Sequence, residues 1–576
     1  MRIKITKSKN SEHYSIIQDI VKDGKRTTYI YENIGNYNDL KVRANNEEPI
    51  EWLKNYVAKL NNELKEKSLP IIIKKYENLI IEKNTKNLFN VGYLFPQTIY
   101  YNLKLNKICN KISKKYQFKF DLNSILSNLI YARIIYPSSK LKTLKLCRNF
   151  LEQPNLDYNH ILRALEVISK EADYIQSQLY INSKNVIKRN NNVLYYDCTN
   201  FFFEIEQEDE LRKYGKSKEN RPNPIVQMGL FMDGNGIPLS FDITPGSKNE
   251  QKTLKPLEKK IISDFKIESL VVCTDAGLAS TANRKFNNMN GRKFITTQSL
   301  KKLKSHLKSE ALDLTKGWKL PGSSKTYNIS KLRTDKSLAV QYKDKTFYKE
   351  RWIKEDGLEQ RLIVTFSVKY QEYQRHIRTN QIERAKKLIQ KDPKKLGKVK
   401  QNDPKRFIKM TSLTEQGEVA EETHYTINQD VIAEEEKYDG LYAVCTNLED
   451  KVEDIITVNH RRWEIEESFR IMKSEFDARP VYLSREDRIK AHFVICFLAL
   501  VIYRILENKL DEKYTVEEII YTLKNMNVLK EENHGYSPAY TRNDITDLFH
   551  EKFNFRTDYQ IISEKNFKKI INQTKK

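Results

Sequence analysis

Asn192–Glu204 reads NVLYYDCTNFFFE, and here the chain changes character. Upstream, apolar residues recur at helical spacing. From Val193 they come in short unbroken runs, the pattern of a strand buried on both faces. That first strand is expected to run into Asp197. IVQMGLFMD (225–233) and IPLSFDITPG (237–246) follow, joined at Gly234-Asn235-Gly236, a hairpin turn. LEKKIISDF (257–265) has helical spacing, SLVVCTD (269–275) is a second buried strand ending at Asp275, and RKFITTQ (292–298) is a further strand. The order is three strands, helix, strand, helix, strand, which suits an α/β protein with a mixed sheet flanked by helices.

Outward from this core, RIKIT, HYSIIQDIV and TTYIYENIG near the N-terminus read as strands broken by KNSE and KDGK turns, and residues 50–67 as a helix. From about 92 to 190 the pattern is helical, in QTIYYNLKLNKICNKI, LNSILSNLIYARIIY and HILRALEVISKEADYIQSQLY. Residues 301–437 break the rhythm with β-rich pieces (SLAVQYKDKTFYKERWI, QRLIVTFSV), a basic helix carrying Arg375, Arg378 and Arg384, and a lysine-rich loop, KDPKKLGKVKQNDPKR. They read as an inserted domain. GLYAVCT then returns as a strand, and the tail beyond about 511 reads as helical. The expected divisions are 1–90 (β/α), 91–190 (helical, with many lysines), 191–300 and 438–510 (two parts of a core), 301–437 (insertion) and 511–576 (helical).

The 576 residues are 39% hydrophobic, enough for large cores, and carry 101 Lys+Arg against 76 Asp+Glu, a net charge of +25. Such an excess implies a polyanionic partner; an AT-rich genome, which favours Lys, Asn and Ile, is the competing explanation. The six cysteines form no C-x2-C pair, which excludes a zinc knuckle or a dithiol redox motif and suits reduced thiols in the cytoplasm. No apolar leader opens the chain, and the longest apolar run, Phe493–Tyr503, is too short to cross a bilayer and reads as a buried core helix. No membrane association is expected.

Asn459–Tyr482, NHRRWEIEESFRIMKSEFDARPVY, supplies a third carboxylate. On a helical wheel of about 100° per residue, Arg462 lies about 40° and Lys473 about 20° from Glu466, while Glu464 and Glu467 point elsewhere. A carboxylate between two cations suits a divalent metal flanked by phosphate; a solvated helix with i,i+4 ion pairs is the plainer reading. Trp463 is expected to pack in the core. Taken alone, Asp197 and Asp275 read more readily as turn caps. Asp197, Asp275 and Glu466 converging in a basic protein suit two hard divalent cations that clamp the attacking and leaving oxygens of a phosphoryl displacement.

The chain resembles the DDE transposases of bacterial insertion sequences, in the group with a β-rich insertion and a Y-x2-R-x3-E-x6-K signature. Arg462, Glu466 and Lys473 match it; the tyrosine position holds Asn459. YYDCTNFFFE, SKENRP, IPLSFDITPGSKNEQKTL, VVCTDAGLAS and RWEIEESFRIMKS carry the likeness, which covers about 190–510. The resemblance implies a five-stranded ribonuclease H-like core interrupted before the glutamate helix. It implies Asp197, Asp275 and Glu466 as ligands of two Mg²⁺ ions, for which Mn²⁺ substitutes, and Arg462 and Lys473 as grips on DNA phosphates. Lys216 and Lys218 are further candidates for contact with the DNA backbone. Thr199 and Asn200 line the cleft or make a turn. The implied function is transposition: binding double-stranded terminal repeats, cleaving, and joining 3′-hydroxyls to target DNA, as a synaptic homodimer. A nuclease of the same fold that does not join, and a domesticated DNA-binding protein without catalysis, are the alternatives.

Overall fold

The computed structural model describes residues 1–8, 11–22, 25–45, 47–66, 71–267, 270–391, 403–413 and 419–576. Residues 9–10 of the expected KNSE turn, residues 23–24 of the expected KDGK turn and most of the lysine-rich loop fall outside these. The chain divides into two compact units, 1–85 and 86–576.

In the first unit, strands β1 (Arg2–Ser8), β2 (Ser11–Lys22) and β3 (Lys25–Asn36) form an antiparallel meander followed by helices α1 (Tyr37–Ala44) and α2 (Pro49–Glu66). Asn36 starts α1 through a capping box with Asp39, satisfying amides that the first turn leaves free. Tyr14, Ile16 and Ile34 of the sheet bury against Leu40, Leu53 and Val57 of the helices.

The second unit opens with β4 (Leu88–Asn90) and helices α3 (Leu94–Asn102), α4 (Leu105–Tyr116), α5 (Leu122–Ile135), α6 (Lys140–Leu146), α7 (Tyr158–Lys170) and α8 (Ala172–Ser183). Two stretches read as continuous helix are broken. Lys104 takes φ 55°, a left-handed conformation, between α3 and α4, and Glu171 ends α7 and precedes α8.

The sheet follows: β5 (Val193–Phe202), β6 (Ile225–Asp233), β7 (Pro238–Pro245), α9 (Leu254–Phe265), β8 (Val271–Thr274), α10 (Thr281–Phe286) and β9 (Lys293–Thr297). Residues 301–437 contribute α11 (Ser305–Leu312), β10 (Trp318–Lys319), β11 (Thr326–Tyr327), α12 (Lys336–Gln341), β12 (Thr346–Glu355), β13 (Leu358–Ser367), α13 (Val368–Lys391), β14 (Ile408–Leu413), β15 (Val419–Ile427) and α14 (Gln429–Glu436). Then come β16 (Leu441–Thr446), α15 (Val452–His460), α16 (Trp463–Arg470), a π-helical turn at Ile471–Glu475, and α17 (Glu486–Lys509). The C-terminal part holds α18 (Val516–Asn525), β17 (Asn527–Glu531), β18 (Gly535–Pro538), α19 (Asp544–Phe553) and α20 (Glu564–Thr574). It is therefore not purely helical, since β17 pairs with both β18 and β4.

Within the central sheet, β7, β6 and β5 are antiparallel neighbours, β8 lies parallel to β5, and β9 parallel to β8. This is the ribonuclease H-like strand order. The sheet is larger than the five strands expected: it has ten, ordered β11-β10-β12-β13-β16-β9-β8-β5-β6-β7. The insertion's long hairpin β12–β13 hydrogen-bonds through β13 to β16, so the inserted strands continue the core sheet. SLAVQ, expected as strand, is helix α12, started by Asp335, whose side chain accepts from the amides of Ser337 and Leu338.

Side chains alternate across β5. Leu194, Tyr196 and Cys198 pack with Leu254, Leu257 and Ile261 of α9. Tyr195 and Phe201 belong to the main core with Ile465 and Phe469 of α16 and the length of α17. Helix α17 has 24 residues and is apolar enough, by length and composition, to cross a membrane. Here α3, α5, α7 and β7 pack around it. At about 1.5–3 kcal/mol for each large apolar side chain removed from water, it is the hydrophobic axis of the second unit.

Candidate active site

Asp197 does not end its strand: β5 continues to Phe202. What ends is its parallel neighbour. The β5–β8 register runs from Val193–Val271 to Tyr196–Thr274, and Asp275 is the first residue beyond β8. On that side of β5 the parallel pairing stops at Tyr196, which leaves Asp197 beside Asp275 at the adjacent strand end. Asp197 lies two residues beyond Tyr195, hence on the same face. Tyr195 donates its hydroxyl to the Val458 carbonyl of α15 at 2.9 Å, so this face looks toward α15 and α16.

Burial pushes the Asp197 carboxyl up to about 6. The charge of Asp275 adds to the rise, while Lys218, the Cys198 amide and Arg462 oppose it. The Cys198 amide donates to Asp197 Oδ1 at 2.7 Å. Asp275 Oδ1 accepts from the Leu278 amide at 3.0 Å, so this aspartate also caps its turn. Gly277 leaves space beside it; a Cβ there would stand 3.2 Å from Asp275 Oδ2.

Arg462 lies between the carboxylates. Its Nη1 pairs with Glu466 Oε1 at 2.9 Å. Burial disfavours its charge, but Glu466, Tyr442 and Asp197 together raise its pKa. Glu464 pairs with Arg461 at 2.8 Å and Glu467 with Arg504 at 2.9 Å, so both are committed elsewhere and Glu466 is the carboxylate left for the site. Glu466 is 56% exposed. Trp463, expected in the core, is 57% exposed on the same turn.

Lys473 falls inside the π-helical turn, which changes the wheel on which its spacing from Glu466 was counted. Its Nζ pairs with Glu219 Oε1 at 3.0 Å and lies 5.4 Å from the Phe201 ring centroid. Burial and the nearby Lys218 lower its pKa to about 8, against the pull of Asp197. Lys218 donates from Nζ to the Cys198 carbonyl and pairs with Glu250 at 3.6 Å. Burial disfavours its charge, but Asp197 and Glu250 hold its pKa above the ordinary value. Lys216 is exposed on the same loop, and its carbonyl accepts from Asn200 Nδ2 at 3.1 Å.

Two members of this site, Glu219 and Arg479, have no place in the sequence reading, while Asn200 and Asn459, both named there, take definite positions. Asn200 is a strand residue that ties down the loop, accepting from the Lys218 amide at 3.2 Å. Asn459, at the signature's tyrosine position, is buried and donates to the Tyr442 hydroxyl at 3.1 Å. Glu219 and Arg479 form an ion pair, and the Arg479 guanidinium lies 5.7 Å from the Phe202 ring. The SKENRP segment, which carries part of the family likeness, was the available signal, but of its residues only Lys218 entered the expected site. On the insertion helix, Arg378 is bidentate to Asp439 at 2.6 and 2.7 Å and Arg375 pairs with the same carboxylate at 3.6 Å, so two of its three arginines fasten α13 in place.

The donor set fits divalent cations in part. Asp197 and Asp275 offer hard oxygen ligands on adjacent strands, and the first is short of compensating positive charge. Glu466 would have to leave Arg462 to join them. Among the described residues, one trio of His, Cys, Asp or Glu has its ligand atoms all within 4.8 Å of one another, and it is Asp547, His550 and Asp558. Its carboxylates already hold Arg556, at 2.6 and 2.5 Å.

A family profile described as the transposase DDE domain matches residues 199–502. No curated protein matches the sequence. Among solved structures, a cryo-EM structure of the piggyBac transposase synaptic complex with hairpin DNA aligns over 84% of this chain and 84% of that one. The identity is 7% and the TM-score 0.34.

Proposed function

The chain belongs to the transposase DDE domain family, and on that premise we propose that it moves an insertion sequence in a bacterial cytoplasm. It would bind the element's double-stranded terminal repeats, cleave at their ends and join the exposed 3′-hydroxyls to target DNA, with two copies in the synaptic complex. The observation that carries this reading is that Asp197, within β5, lies beside Asp275 at the end of the parallel strand β8, with Arg462 between Asp197 and Glu466.

Asp197, Asp275 and Glu466 would hold Mg²⁺, or Mn²⁺ in its place; bound, the ions activate the attacking oxygen and neutralise the leaving one. The chain's own residues do the rest. Release of Glu466 toward the aspartates frees the Arg462 guanidinium for a phosphate oxygen. Lys218 and Lys473 supply further positive charge beside the scissile position. The buried wall of β5 limits water on one side, and no histidine base is required. Residues 1–190 would hold the element's ends. A nuclease that cleaves without joining is the competing reading of the same site.

The test is cleavage and joining of a labelled oligonucleotide bearing the element's end, beside Asp197→Asn, Asp275→Asn and Glu466→Gln. Metal-dependent cleavage and joining, lost in each variant while DNA binding persists, supports the proposal. Variants as active as wild type overturn the site, and cleavage without joining favours the nuclease.

A further inference from the structure

Glu219 Oε1 is shared by two cations, Lys473 Nζ at 3.0 Å and Arg479 Nη1. All three side chains are largely sheltered, with exposures of 24%, 13% and 23% for Glu219, Lys473 and Arg479. Two aromatic rings lie against the cations: Phe201, 5.4 Å from Lys473, and Phe202, 5.7 Å from Arg479 and 4.2 Å from Arg221. One carboxylate oxygen answers two positive charges, so this trio keeps a net positive charge. The geometry, an anionic oxygen held by an ammonium and a guanidinium over a ring face, is what a phosphodiester oxygen would meet.

Glu219 belongs to the loop between β5 and β6, and its neighbours are anchored. Asn200 holds Lys216 and Lys218, Lys218 Nζ reaches the Cys198 carbonyl, and the Ser217 hydroxyl accepts from the amides of Glu219 and Arg221, both at 3.2 Å. The Glu219 side chain can thus swing away while the backbone stays. Its partner Lys473 is also within electrostatic reach of Asp197.

We propose that Lys473 and Arg479 form a subsite for one phosphodiester of DNA beside Asp197, and that Glu219 is its resident stand-in, expelled when the strand enters. The inference rests on the DNA-processing reading above, adds Arg479 as a phosphate contact, and makes Glu219 a brake on binding.

The test is the affinity of a fluorescent duplex oligonucleotide in chelator, where no cleavage occurs. Glu219→Gln should bind about tenfold tighter than wild type. Glu219→Asp, one methylene short of its cations, should move the same way by a smaller factor. The gain should vanish when Lys473→Gln or Arg479→Gln is added, since the brake has nothing left to cover. Glu208→Gln, which removes an exposed charge elsewhere on the loop, should stay within about twofold of wild type, so that net charge alone is controlled. Equal or weaker binding by both Glu219 variants overturns the proposal, as does a gain that persists without Lys473 and Arg479. Wild type failing to bind duplex DNA at all would instead overturn the functional reading.

Discussion

Asp197→Asn separates electrostatic strain from catalysis. In the folded protein the Asp197 carboxyl titrates near 6 rather than its usual 3.8, chiefly because it is buried. Keeping it ionised at pH 7.5 therefore costs about 3 kcal/mol, at 1.36 kcal/mol per pH unit. The folded state binds this proton more tightly than the unfolded state. The cost is thus nearly absent below pH 4, grows between about 4 and 6, and is complete above 6. Asparagine is close in shape and its oxygen can still accept from the Cys198 amide, so the substitution removes the charge and little else. In chelator at pH 7.5 the variant should melt above wild type by the equivalent of about 3 kcal/mol, and the gap should shrink by about two-thirds at pH 4.5. Added Mg²⁺ or Mn²⁺ should then raise the melting temperature of wild type but not of the variant, because only wild type keeps the ligand. Scanning calorimetry at the two pH values, with and without metal, reads all of this. A variant that melts below wild type at pH 7.5 in chelator, or a gap indifferent to pH, would refute the reasoning.

Three further outcomes are expected. Arg462→Met removes a pair whose carboxylate is mostly exposed, worth under about 1 kcal/mol, and a charge that offsets part of the burial of Asp197, so melting should fall modestly while cleavage of an end-bearing oligonucleotide falls at least 100-fold. Asp233→Ala strands the buried Arg189, whose Nε lies 2.5 Å from Asp233 Oδ2, and should cost about 3–5 kcal/mol, read as a lowered melting temperature. Lys140 is buried against His492 at 3.3 Å, and burial lowers its pKa to about 7. The unfolded chain binds this proton more tightly, so wild-type stability should gain from this lysine as pH rises from about 7 toward 10, and Lys140→Met should lose that slope in pH-dependent melting curves.

The strand order of the core was legible because β5, β6 and β8 are apolar on both faces and their turns carry glycine or polar residues. The place of Asp197 was not. Cys198, Thr199 and Asn200 look like the end of a strand, yet β6 pairs with β5 all the way from Leu194 to Phe202, so the backbone continues past the acid. Helix α12 was misread because Ser337–Gln341 has the composition of a strand, and the Asp335 cap outweighed it. The joining of β13 to β16 depends on residues some eighty positions apart, and no local pattern encodes it. In the site, Glu466 stood out because its neighbouring glutamates point away on any helical wheel. Glu219 and Arg479 did not, because their meeting is a product of the fold rather than of spacing.

The seam between β13 and β16 matters to anyone wishing to miniaturise this protein. Excising residues 301–437 as a dispensable module would strip Leu441–Thr446 of the partners it finds in Arg361–Phe366. A row of unpaired amides and carbonyls on an apolar strand would then face solvent, a template for association with other copies. A shortened version should keep the Thr346–Ser367 hairpin as a permanent selvedge and take its savings from the span between α13 and α14.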